Sequence, residues 1–140
     1  MSDISPEEFA QMVAGASDKE IEERVRELGT RATLDRIFAG FEERFRPDRT
    51  EGVDARVVWK IATDEGEMPY TLTIRDGTCR ATLEEADDAK ATLRVKLVHF
   101  VKLVAGQADG MRLLLTRKLK VAGDLGFVQR MQTFFDQPKA

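Results

Sequence analysis

The 140-residue chain has one cysteine, one histidine, one tryptophan and one tyrosine. The lone Cys79 excludes an internal disulfide and fits a reducing compartment. The lone His99 leaves a metal site short of ligands, since an ion needs several brought together; no metal and no cofactor are expected. No apolar run reaches the ~18 residues that would span a bilayer. No basic-then-apolar leader opens the chain, so a secretory signal is not expected and cytoplasm is the default location. No glycine-rich phosphate loop exists. Gly106, Gly110, Gly123 and Gly126 are scattered, and Gly123-Asp124-Leu125-Gly126 reads as an ordinary strand-to-helix junction. Positive charge is not in excess: 22 Lys and Arg face 25 Asp and Glu, a net charge of -3. That balance excludes general nucleic-acid binding, which needs concentrated positive charge against phosphates.

What is present fits one soluble domain. Hydrophobic residues make up 42% and charged residues 34%, and a chain this long buries about two-thirds of its extended surface. Ser5-Pro6-Glu7-Glu8 and Ser17-Asp18-Lys19-Glu20 are helix-start signals, each with a serine cap and a glutamate three residues on. The spacing predicts helices over 18–28 and 31–46, with Phe38, Phe41 and Phe45 covering a sheet. After Pro47 the period falls to two. Val53, Ala55, Val57 and Trp59, then Tyr70, Leu72 and Ile74, then Cys79, Ala81 and Leu83, then Ala91, Leu93 and Val95 predict four strands with one apolar face. Asp64-Glu65-Gly66-Glu67, Asp76-Gly77 and Asp87-Asp88 are the turns, which predicts an antiparallel meander. The other face carries Thr71, Thr73, Arg75, Arg80, Thr82 and Arg94. Helical spacing returns at Leu97–Ala105 with Gly106 as a stop, and Asp109 caps a short turn. Leu119 and Val121 mark a fifth strand. Asp124 caps a last helix with an apolar face of Phe127, Val128, Met131, Phe134 and Phe135.

Candidate chemistry is sparse. Cys79 alternates inward with Ala81 and reads as a small core hydrophobe. His99 sits between Val98 and Phe100 in an apolar helix and reads as a packed side chain. The pairs Glu7-Glu8, Glu22-Glu23, Glu42-Glu43, Glu84-Glu85 and Asp87-Asp88 fall in caps, turns and polar faces, where no carboxyl is made a weak acid. What remains is apolar side chains, enough to fill a core or to line an irregular cavity.

The stretch "LLLTRKLKVAGDLGFVQRMQTFF", residues 113–135, resembles the sterol carrier protein-2 (SCP2) family. Members carry a small-Gly-Lys-Leu-x-hydrophobic-x-Gly-Asp stretch before an apolar helix, and Lys118, Leu119, Val121, Gly123 and Asp124 match it. "VHFVKLVAGQAD", residues 98–109, is similar to the preceding family helix with its Gly-x-x-Asp ending. Two positions depart: Arg117 stands where the family has glycine, and Lys96 where serine or threonine starts a helix. The likeness covers about residues 32–136.

The resemblance implies an α+β fold, a single domain with a mainly antiparallel five-stranded sheet covered by helices. Residues 1–30 would be a helical extension and 31–137 a lipid-binding domain. It implies non-catalytic binding and transfer of a sterol, fatty acid or fatty acyl chain in a hydrophobic tunnel. Phe127, Val128, Met131, Phe134 and Phe135 would line it, with Phe100, Val101, Val104, Met111 and Leu115 behind them and Trp59 and Tyr70 on the sheet. Arg112, Arg117, Lys118 and Lys120 would meet a ligand carboxylate or, transiently, an anionic membrane. Two alternatives stand beside this: an interaction module with a filled core, pairing as a homodimer, and a small enzyme acting on a hydrophobic substrate.

Overall fold

A computed structural model describes residues 14–105 and 109–135. The helix expected at Ser5 and the stops expected at Gly106 and Pro138 lie outside the described residues. Helix α1 spans Asp18–Leu28 and α2 spans Thr30–Arg44; a 3-10 turn follows at Pro47–Arg49. The strands are β1, Ala55–Thr63; β2, Gly66–Arg75; β3, Thr78–Thr82; and β4, Ala91–Lys96. Helix α3 (Leu97–Val104), helix α4 (Gly110–Leu115), strand β5 (Leu119–Gly123) and helix α5 (Leu125–Met131) complete the chain, with a 3-10 turn at Gln132–Phe134.

Local chemistry explains the helix boundaries. The Ser17 hydroxyl accepts from the Glu20 N–H while Glu20 accepts from the Ser17 N–H, satisfying two donors that the first turn of α1 leaves open. Gly29 adopts φ 97° and gives its N–H to the Val25 carbonyl, so α1 stops and α2 begins with one residue between them. Ile21 and Val25 of α1 are buried in the same core cluster as the sheet. A Lys102–Asp18 ion pair also ties α1 to α3.

The sheet order is β3-β2-β1-β4-β5. Asp76 and Gly77, at φ 51° and 71°, form the expected two-residue hairpin between β2 and β3. The expected meander fails after β3. Strand β4 pairs with β1, in parallel, with Trp59 opposite Leu93. Strands β3 and β4 run in the same direction with β2 and β1 between them, so residues 83–90 carry the chain back across the sheet. They are pinned to its rear face. The Thr71 hydroxyl donates to the Glu84 carbonyl at 2.7 Å and accepts from the Ala86 N–H at 3.2 Å. Lys60 pairs with Glu85 and Arg56 with Asp88. Thr71, expected on a solvated face, is therefore buried, as is Val58 beside it. With three of its four pairings antiparallel, the sheet is mixed.

Helices cover the front face. There Val57, Trp59, Ile61, Tyr70, Leu72, Ile74, Leu93 and Val95 are buried against α2, α3 and α5. The edge strand β3 is shielded: its Ala81 N–H donates to the Glu42 carboxylate of α2 at 2.8 Å. At the other edge, β5 runs antiparallel to β4 and ends at Gly123.

A Cβ at Gly123 would lie 2.5 Å from the Lys90 carbonyl oxygen, on a backbone already at φ 100°. Gly52, at φ 75°, has open space around it. Gly52→Ala is therefore expected to cost about 1–2 kcal/mol from left-handed strain alone. Gly123→Ala adds a backbone clash to that strain and is expected to cost roughly 3 kcal/mol. Denaturant unfolding of both variants checks the ordering; equal losses would contradict the close approach.

Candidate functional site

Strand β5 leads into the closing segment, α5 and the residues after it. The Asp124 N–H donates to the Lys90 carbonyl at 3.1 Å. Its side chain accepts from the Phe127 N–H at 2.9 Å, the expected cap. Lys90 lies 3.9 Å from the Asp124 carboxylate and over the Phe127 ring. The helix so aimed buries Phe127, Val128 and Met131, and the following turn buries Phe134 and Phe135. The far end is fastened as well. Phe135 forms an isolated antiparallel bridge with Phe45; the Arg46 N–H donates to the Phe134 carbonyl at 2.7 Å, and the Arg49 guanidinium to the Thr133 carbonyl at 3.0 Å.

Beneath the segment lies a run of aromatic rings. Tyr70 stacks on Phe38 at 4.3 Å between centroids, Phe38 on Phe100 at 5.4 Å, and Trp59 meets Phe100 at 5.1 Å. Phe41 joins Phe38 to Phe135, whose ring also meets Phe45. Such pairs each add about 0.5–1.5 kcal/mol beyond area burial. The Tyr70 hydroxyl donates to Asp35 of α2 at 2.7 Å, and burial followed by that carboxylate pushes the phenol's pKa above the ordinary tyrosine range.

Of the twelve residues expected from the sequence as tunnel lining, ten lie in this one buried cluster: Phe127, Val128, Met131, Phe134, Phe135, Phe100, Val101, Val104, Trp59 and Tyr70. Met111 and Leu115 do not. They stand 43% and 77% exposed on α4, whose buried side is held by Leu113. Arg112, Arg117, Lys118 and Lys120 are exposed on the same stretch. Phe38 and Phe41 were expected only as cover for the sheet, yet they connect the aromatic run; their 38, 41, 45 spacing was the visible signal.

The reactive residue types are occupied elsewhere. Cys79 is buried on β3, and burial with help from Glu42 pushes its thiol up to about 12. His99 lies on α3, where burial and then Lys118 lower its pKa below the usual histidine value. Of the carboxylates, Glu42 caps the sheet edge, and Glu85 and Asp88 hold the crossing loop. Among the described residues, no group of three or more His, Cys, Asp or Glu is placed to hold a metal, and no helix is long and apolar enough to cross a membrane.

Residues 34–136 match the SCP-2 sterol transfer family. The chain belongs to that family. The family is described as one of sterol transfer, the carrying of a hydrophobic ligand. No curated protein matches the chain. Among solved structures, the stereoselective inverting sec-alkylsulfatase Pisa1 from Pseudomonas sp. superposes with a TM-score of 0.68 and 20% identity, over 78% of this chain. The matched part is 17% of that enzyme's length. Sterol Carrier Protein 2 from Yarrowia lipolytica, in its apo form, gives 0.59 and 22% identity over 74% of this chain and 86% of that one. Palmitated SCP2L2 from Aedes aegypti gives 0.58 and 15% identity over 76% and 95%. At these identities the likeness is one of fold.

The family departure at Arg117 has a structural consequence. Arg117 adopts φ 63°, a left-handed backbone, between α4 and β5. A non-glycine residue there carries about 1–2 kcal/mol of strain, while glycine adds about 0.4–1 kcal/mol of unfolded-state entropy. Arg117→Gly is therefore expected to stabilise the protein by up to about 1 kcal/mol, read as a raised unfolding midpoint. Arg117→Ala should bring no such gain.

Proposed function

We propose that this SCP2-family domain holds one long-chain lipid, a fatty acid, fatty acyl chain or sterol, between the front of the sheet and the closing segment. The observation that carries this is the collection of ten expected lining residues into one apolar cluster, five on the closing segment and five facing it, with that segment tied at its two ends. A chain of about fifteen methylenes gains roughly 12 kcal/mol on leaving water, enough to offset much of the ~4–15 kcal/mol cost of association. The palmitated Aedes aegypti protein of the same fold makes palmitate a reasonable first probe.

Exchange would start at the α4–β5 side. There Met111 and Leu115 project into solvent beside Arg112, Arg117, Lys118 and Lys120, on a protein of net charge -3. Apolar side chains among cations suit the surface of an anionic bilayer, where each Lys or Arg near the surface contributes about 1 kcal/mol. The bound lipid would leave or enter as α5 lifts.

Palmitate titration is expected to saturate near one equivalent and to raise the unfolding midpoint, since a ligand at a hundred times its Kd adds about 2.7 kcal/mol. Partition without saturation, or an unmoved midpoint, would overturn the reading. For membrane contact, Lys118→Gln/Lys120→Gln is expected to weaken binding to phosphatidylglycerol-containing vesicles severalfold and to leave pure phosphatidylcholine vesicles unaffected. Unchanged binding to the anionic vesicles would remove the membrane role while leaving lipid binding intact.

A further inference from the structure

Two buried side-chain polar atoms have no hydrogen-bond partner among the described residues: the Thr33 hydroxyl and the Trp59 indole nitrogen. They differ in kind. A helical threonine hydroxyl can turn back to a carbonyl of the preceding turn, whereas an indole N–H is fixed to its ring and can only donate. Leaving such a donor buried and unmatched forfeits its hydration with nothing in return, so the position of Trp59 matters.

Trp59 is 4% exposed at the centre of β1. Tyr70 and Leu93 flank it across the two neighbouring strands, and Phe100 packs against its ring. Tyr70, opposite Trp59 on β2, gives its own hydroxyl proton to the Asp35 carboxylate, which also accepts from Arg31. Among the described residues, the front face thus holds one buried donor left without a partner, the Trp59 N–H.

We propose that the Trp59 N–H is the polar anchor of the lipid site, donating to an acceptor oxygen of the ligand. This rests on the carrier reading above and adds ligand chemistry to it. The preferred guest is an apolar chain bearing a carbonyl, ester or ether oxygen within the pocket, rather than a bare hydrocarbon. A guest oxygen held there offsets two costs at once, its own desolvation and that of the orphaned indole.

The test compares methyl palmitate, which offers acceptors and no donor, with hexadecane, which offers neither, on the wild type and on Trp59→Phe. The phenyl ring keeps much of the aromatic packing and removes the N–H. The wild type is expected to prefer methyl palmitate over hexadecane, and Trp59→Phe to reduce that ratio at least about fivefold, whatever its effect on the affinity for hexadecane. Because Trp59 is the only tryptophan, the wild type also reports directly through its single indole N–H resonance. That resonance should move downfield with methyl palmitate and not with hexadecane, a readout that stands even if the variant fails to fold. Saturable binding of both probes with an unchanged preference in the variant, or with the same resonance shift for both, would overturn the anchor and leave the carrier reading standing. Binding of neither probe to the wild type would overturn both.

Discussion

Where β5 meets the start of β4 there is no room for a side chain, and the rest of the site depends on that contact. Gly123 lies against the Lys90 carbonyl at a distance no Cβ allows. The next residue, Asp124, hydrogen-bonds that same carbonyl and caps α5. Lys90 in turn donates its N–H to Arg56 of β1 at 2.7 Å. One residue thus links the central strand, the edge strand and the closing helix. The Gly-Asp pair owes its presence to close backbone approach and capping, and the direction of α5 over the aromatic run follows from it.

The closing segment is built in two materials. Backbone and guanidinium hydrogen bonds hold its ends, at Lys90 and at Phe45–Arg49. Its middle is held by side chains that each gain about 1.5–3 kcal/mol from burial. On the proposed reading, a lipid entering beneath it would exchange one apolar contact for another, while the end ties keep the segment attached. The shielding of β3 by Glu42 and the pinning of the crossing loop leave the sheet itself as the fixed wall.

Much of this was legible in the sequence because local chemistry decided it. The capping box at Ser17–Glu20, the Asp76-Gly77 hairpin, the Asp109 and Asp124 caps and the alternating front face all follow from residues a few positions apart. The order of the strands did not, since a turn signal at Asp87-Asp88 fits a hairpin and a crossing loop equally well. A clue was present: three consecutive buried residues, Val57, Val58 and Trp59, mark a strand covered on both faces, whereas β3 alternates as an edge strand does. Met111 and Leu115 were misplaced for a related reason. A six-residue helix is too short for its apolar spacing to define a buried side. The ties between Arg49 and Thr133 and between Tyr70 and Asp35 join positions far apart in the chain, and no local pattern announces them.

The central claim is that the buried cluster accommodates a lipid guest. Native mass spectrometry of the freshly purified protein, followed by denaturing extraction, tests it most directly. The account predicts a mass increment that disappears on denaturation and is recovered as a single class of long-chain lipid, or, for protein stripped beforehand, the same increment after one equivalent of palmitate. A bare mass in both preparations would contradict it and leave the aromatic cluster as a filled core.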